Sequence, residues 1–196
     1  SSTSRGLGDV YKRQLIDSTP IFYMFEGWLY MFLRLIIKHL MRLKNTIHRR
    51  LKILSLNLQY GNQFRSQKFH FRSGFHVFIE ENGILEIQKN VFFNNNCSIT
   101  AREKISIGSN CIFGENVKIY DHNHEYKDKS CLISKQGFSS EKVIIEEDCW
   151  IGSNVTILKG VHIGKHSVVG AGVIVYKDIP ENSVIICKQE LINLCK

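Results

Sequence analysis

An all-β solenoid of short parallel strands, preceded by a helical segment, is the fold class this sequence predicts. Three observations carry the prediction. Between Ile145 and Pro180 an aliphatic residue returns every six positions, at Ile145, Ile151, Ile157, Ile163, Val169 and Val175, which fits neither the 3.6-residue period of a helix nor the 2 of a plain strand. The same column exists upstream as Ile87, Phe93, Ile99 and Ile105, and then, displaced by two residues, as Ile107, Phe113 and Ile119. Around it the composition is that of tight turns. Glycine often follows the column residue (Gly108, Gly114, Gly152, Gly164, Gly170), and a small or β-branched residue stands four on (Cys97, Cys111, Val117, Cys149, Val155, Val161, Ser167, Val173).

These residues describe short strands in which the column residue and the one two positions before it point inward. Three six-residue units make one triangular coil, and stacked coils bury an aliphatic ladder that no coil buries alone. Residues 59–186 are assigned to this domain, enough for about six or seven coils, the first few imperfect. The two-residue displacement marks a local correction in the coil. Residues 187–196 form a tail.

Ahead of the solenoid, residues 1–14 (SSTSRGLGDVYKRQ) share no periodicity with the rest of the chain and look like translated adapter sequence or a cloning remnant, so they are set aside from fold reasoning. Residues 15–58 are read as a basic amphipathic helical segment. Its apolar residues Phe22, Phe25, Leu29, Phe32, Ile36, Leu40, Leu43, Ile47 and Leu51 fall at spacings of three and four, with Arg34, Lys38, Arg42, Arg49 and Arg50 among the remainder. The apolar run 21–37 is short for a bilayer span and contains Glu26 and Arg34, whereas a span needs about 20 apolar residues. No small-residue cleavage site closes it as in a secretory signal. Aromatics beside lysines and arginines suit a headgroup interface, so residues 20–54 are expected to make peripheral membrane contact; packing on the chain's own domain or on a partner subunit is the alternative.

The formal net charge of +8 belongs mostly to this part. Ten Lys or Arg residues and no acid lie between Glu26 and Glu80, and the rest of the chain is close to neutral. No nucleic-acid-binding motif accompanies the basic stretch, and a strongly apolar face opposes it, so nucleic acid is not an expected partner. The six cysteines (Cys97, Cys111, Cys131, Cys149, Cys187, Cys195) contain no C-x-x-C pair; they read as reduced small hydrophobes of a cytoplasmic protein.

The six-residue rule stops between Ile119 and Val143. An interruption in a solenoid is an extruded loop, here residues 120–142, and loops commonly carry function. It opens Asp121-His122-Asn123-His124-Glu125. Two histidines at i and i+2 do not complete a metal site, and His162 and His166 lie on another stretch, so no metal is expected. A histidine at the base of such a loop can remove a proton from a hydroxyl.

The stretch WIGSNVTILKGVHIGKHSVVGAGVIVYKDIPENSV, residues 150–184, resembles the hexapeptide-repeat acyltransferases, in the branch of the galactoside, maltose and capsular-polysaccharide O-acetyltransferases. The resemblance is dense over residues 82–184 and most specific at W-I-G-S-N, G-A-G and K-D-I-P. It implies a left-handed parallel β-helix, against the usual hand of parallel crossovers, assembled as a homotrimer with inter-subunit active sites. It also implies acetyl-CoA as donor and a sugar hydroxyl as acceptor, in surface-polysaccharide biosynthesis at the inner face of the cytoplasmic membrane. A rival β-helix class resembling γ-carbonic anhydrases binds zinc through three histidines, but W-I-G-S-N and K-D-I-P are acyltransferase text.

By the same resemblance His122 matches the catalytic base, with His124 as the alternate. Asp121, Glu125 and Asp128 are candidates to orient the imidazole, and Asp121, Asn123 and Glu125 to contact the acceptor. Trp150, Gly152 and Ser153 match the thioester end of acetyl-CoA, the Ser153 N–H being a candidate oxyanion donor, and Gly170, Ala171, Gly172 and Lys177 match its arm and nucleotide. Glycines are wanted in these turns for structural reasons as well. The chain departs from the family at its end, where ENSVIICKQELINLCK replaces the usual small-residue stretch with Asn-Pro and a basic residue. Alternatives within the fold are an amino-sugar N-acetyltransferase, a serine O-acetyltransferase and a solenoid scaffold without catalysis.

Overall fold

The computed structural model describes the backbone of residues 5–188 and the side chains of residues 28–188. It divides into two compact units, Ser1–Leu51 and Lys52–Lys196. A long α-helix, Arg5–Tyr60, accounts for the described part of the first unit and enters the second. It begins within the segment set aside from the sequence and ends two residues past the boundary expected at 58. The aromatic residues Phe22, Tyr23 and Phe25 lie outside the described side chains. No described helix is long and apolar enough to cross a membrane.

The second unit is the solenoid, and its strands fall into three parallel sheets. The first face stacks Phe64–Ser66, Ile84–Ile87, Lys104–Ile107, Val143–Ile145 and His162–Ile163. The second stacks His70–Phe71, Phe92–Phe93, Ile112–Phe113, Trp150–Ile151, Val168–Val169 and Val184–Ile185. The third stacks His76–Ile79, Ser98–Ala101, Lys118–Tyr120, Thr156–Ile157 and Ile174–Val175. The single column read from the sequence is therefore three interleaved ladders. Ile145 pairs with Ile163 on the first face, Ile151 with Val169 on the second and Ile157 with Val175 on the third, a step of 18 (163 − 145), three hexads per coil. The fold class is the expected parallel β-helix of about six coils with an N-terminal helix.

Earlier coils are longer, and the reason is visible. Leu85 pairs with Ile105 and Ile87 with Ile107, a step of 20 (105 − 85). Lys104–Ile107 turns two residues inward, Ile105 and Ile107, which is the origin of the displaced column. Aromatic rings fill the interior of these coils. Phe71 and Phe75 stack at 4.9 Å, Phe75 and Phe93 approach to 4.8 Å, and Phe93 and Phe113 stack at 4.5 Å. Leu56 on the last turns of the helix is buried in the same core, with Ile53 and Tyr60 packed against it.

The turns have two recurrent devices. Asn90, Asn96, Asn110, Asn116, Asp148, Asn154, His166 and Asn182 all take positive φ, between 56° and 62°, a conformation that Asn and Asp tolerate better than other L-residues. Each stands just before the small inward residue of the turn. Several of these inward residues donate to the next coil: Cys97 Sγ to Gly114 O at 3.2 Å, Cys111 Sγ to Glu146 O at 3.0 Å, Cys149 Sγ to Gly164 O at 3.3 Å and Ser167 Oγ to Pro180 O at 2.9 Å. A thiol or hydroxyl at this position is thus a small core residue that also satisfies a carbonyl. The described cysteines are free; Cys195 lies outside the described residues.

Candidate active site

The interruption leaves the solenoid at the edge between the third and first faces, after Lys118–Tyr120, and returns at Val143–Ile145. It leaves as an antiparallel hairpin. His122–His124 pairs with Phe138–Ser140, His122 opposite Ser140 and His124 opposite Phe138. Its base is closed by the Glu141 N–H donating to Asp121 O at 2.8 Å and its middle by the Glu125 N–H donating to Gly137 O at 3.0 Å. At the tip the Ser130 hydroxyl and N–H bind the Asp128 carboxylate at 2.6 and 2.8 Å and hold it below its usual range. Asp128 thus fixes the tip of the loop and does not orient the imidazole.

Asp121 holds that position. Its carboxylate is fully buried and every side-chain partner is an N–H donor. The Arg102 N–H reaches both oxygens at 2.8 and 3.0 Å, the Glu103 N–H reaches Oδ2 at 2.8 Å, and His122 Nδ1 lies 3.1 Å from Oδ1. A carboxylate only accepts, so in the neutral imidazole the proton sits on Nδ1 and the lone pair on Nε2. The ring is mostly buried, with 12% of the side chain exposed, and packs edge-on to Phe138 with centroids 5.4 Å apart. Asp121, expected as an acceptor contact, is fully buried in this chain, its carboxylate taken up by the Arg102 and Glu103 N–H groups and His122. Asn123 and His124 are exposed and Glu125 is half-buried. His124 lies 4.3 Å from the Phe138 ring and has no carboxylate partner among the described residues.

Two residues that sequence reasoning missed complete this edge. The Arg102 guanidinium sits 3.8 Å from the Phe138 ring centroid and is ion-paired with Glu80 and Glu81. Phe138 is thereby set between the hairpin and the coil below. Neither residue belongs to a motif; only the pairing of the hairpin reveals them.

The residues matched to acetyl-CoA, apart from Lys177, lie elsewhere on the prism. Trp150 is on the second face, 57% exposed, between Ile112 and Val168. Gly152, Ser153, Gly170, Ala171 and Gly172 occupy the edge between the second and third faces. Gly152 is buried, and a Cβ there would lie 2.6 Å from the Ala171 nitrogen, so packing alone demands glycine. The Ser153 Oγ accepts the Glu115 N–H at 3.1 Å and its carbonyl accepts the Gly172 N–H at 2.9 Å. Its own N–H has no partner among the described residues, as expected of an oxyanion donor, but the same holds for Ala171 at the equivalent turn position. Lys177 follows the third face, on the edge that also bears His122, with its ammonium 5.7 Å from the Tyr176 ring centroid. Within one chain the third face separates His122 from Trp150 and Ser153. Among the described residues no cluster of three or more His, Cys, Asp or Glu side chains is placed to hold a metal ion.

Comparison with known proteins bears on the fold that carries these residues. Residues 142–177 match the hexapeptide repeat of succinyl-transferase. A galactoside O-acetyltransferase of Lactococcus lactis is 41% identical over 95 residues, which is 48% of this chain and 44% of that protein. A putative lipopolysaccharide biosynthesis O-acetyl transferase of Escherichia coli is 36% identical over 110 residues, 53% of this chain and 56% of that protein. The chain therefore spans about half the length of these curated relatives. The crystal structure of a Vibrio cholerae hexapeptide-repeat acetyltransferase complexed with acetyl coenzyme A superimposes with a TM-score of 0.54 at 25% identity, covering 69% of this chain and 71% of that one. The chain thus carries a hexapeptide-repeat segment and is similar to galactoside-type and lipopolysaccharide O-acetyltransferases over about half of their length.

Proposed function

We propose that the protein is an acetyl-CoA-dependent O-acetyltransferase acting on a sugar hydroxyl in surface-polysaccharide synthesis, on the cytoplasmic side of the membrane. The observation that carries this reading is the Asp121–His122 pair at the base of the hairpin. The buried carboxylate fixes the tautomer and leaves Nε2 as a base at the solenoid edge. Acetyl-CoA supplies the thioester when bound. His122 Nε2 takes the proton of the acceptor hydroxyl as that oxygen bonds to the thioester carbon, and returns it to the CoA thiolate released as the C–S bond breaks; the Ser153 N–H is the donor for the oxyanion between, and Trp150 and Lys177 line the donor's path. Support for the donor comes from the acetyl-CoA complex of the Vibrio relative, and support for a sugar acceptor from the galactoside enzyme.

Because His122 stands on a different edge from Ser153 and off the face that bears Trp150, the active site is built between two copies in a homotrimer, one bringing His122 and the next Trp150 and Ser153. The test is acetyl-CoA binding by calorimetry together with acetyl-CoA-dependent thiol release over sugars, amino sugars and serine. Release with a hydroxyl sugar supports the reading. Release only with an amino sugar or serine moves the acceptor class, and absence of acetyl-CoA binding makes the solenoid a scaffold.

A further inference from the structure

The N-terminal helix carries an apolar stripe that the solenoid chemistry does not use. Leu29, Phe32, Ile36, Leu40, Leu43, Ile47, Leu51, Leu54 and Leu58 follow spacings of 3, 4 and 4 repeated without a break, so the pattern recurs every eleven residues (40 − 29 and 51 − 40). All nine side chains are exposed, and over residues 28–41 the apolar surface is wider than the stripe, Tyr30, Leu33, Leu35 and Ile37 being exposed as well. The last turns show that the stripe is not the helix's contact with its own core. Ile53, Leu56 and Tyr60 face the core, and Leu56 is only 2% exposed. Leu51, Leu54 and Leu58 stand two residues away from that set, about 200° around the helix, and are 60%, 53% and 79% exposed.

An eleven-residue repeat has 3.67 residues per turn against the helix's own 3.6, so the stripe drifts only slowly around the helix. Residues 29–58 extend over about 45 Å of helix. Charge names the surface the stripe fits. Arg34, Lys38, Arg42, Lys44, Arg49, Arg50 and Lys52 accompany the stripe, and no acid occurs between Glu26 and Glu80. Lys44 and Arg50 flank it on either side, where headgroups meet a helix lying in the interface.

We propose that residues 29–58 form an in-plane anchor for an anionic lipid surface, with this stripe buried among the acyl chains and the basic residues paired with headgroups. The inference does not rest on the acetyl-transfer reading and can fail separately from it. The test is co-sedimentation of the full chain with vesicles of phosphatidylcholine containing a minor share of phosphatidylglycerol, beside phosphatidylcholine alone, at low and high salt. A Leu43→Glu/Ile47→Glu variant, whose changes lie away from Leu56, is run in parallel with its oligomeric mass measured by sedimentation without lipid. Binding to the anionic vesicles that weakens at least about tenfold without phosphatidylglycerol or at high salt, and disappears in a variant of unchanged mass, is the expected result. Unchanged binding by the variant, no binding by the parent chain, or a variant whose only change is loss of self-association overturns the proposal; the last would assign the stripe to a second copy.

Discussion

Asp121 and His122 are adjacent in sequence, yet what makes them a unit comes from 18 and 19 residues away, where the Glu103 and Arg102 N–H groups fix the carboxylate. This is why the sequence offered three acids and no means of choosing among them. It showed a histidine at a loop base; it did not show which acid the coil below would bury. Replacing Asp121 by Ala removes the acceptor of three N–H donors at once. We expect a stability loss of about 1–3 kcal/mol for the backbone donors left unpaired, read by urea denaturation, together with a lower kcat because the imidazole loses its fixed tautomer. Asp128→Ala, which touches only the loop tip, should leave kcat within a few-fold of the parent.

At the scale of elements, the hexad column was legible because each coil places one aliphatic residue per face with no choice of partner. The hairpin was not legible. Its strands are short, and neither HNH nor FSS alternates apolar with polar residues. The turn asparagines were visible in the sequence but unread, since their signal lies in the residue before the small inward position. Asn154, at φ 60° with its Oδ1 accepting from Asn116 Nδ2 at 2.8 Å, gives a direct check. Asn154→Val should cost about 1–2 kcal/mol in unfolding free energy, the penalty of placing an ordinary L-residue in the left-handed region, while Asn154→Gly should cost much less. The aromatic coils make a second check. Phe93 contacts Phe69, Phe75 and Phe113, and Phe93→Ala should lose about 3–5 kcal/mol, measured the same way.

For the whole molecule, the proposed trimer divides the site between two copies. His122→Ala and Trp150→Ala subunits should each form inactive assemblies. If one copy supplies the base and another the tryptophan, co-assembly of the two variants restores activity at about a quarter of the sites; if both residues serve one chain, mixing restores none. Trp150 is exposed on the second face, so its loss leaves the core intact. The division was implied by family resemblance alone, because a six-residue period says which residues face inward and nothing about which edges meet between copies.

The most direct measurement is the rate of acetyl-CoA-dependent transfer by the parent chain, His122→Ala and His124→Ala, each confirmed to be folded. With Nε2 of His122 as the base, His122→Ala loses about 10²- to 10⁴-fold in kcat and His124→Ala stays within a few-fold of the parent. A His122→Ala enzyme at parental rate, or a loss confined to His124→Ala, would contradict the assignment and place the chemistry on the exposed side of the hairpin.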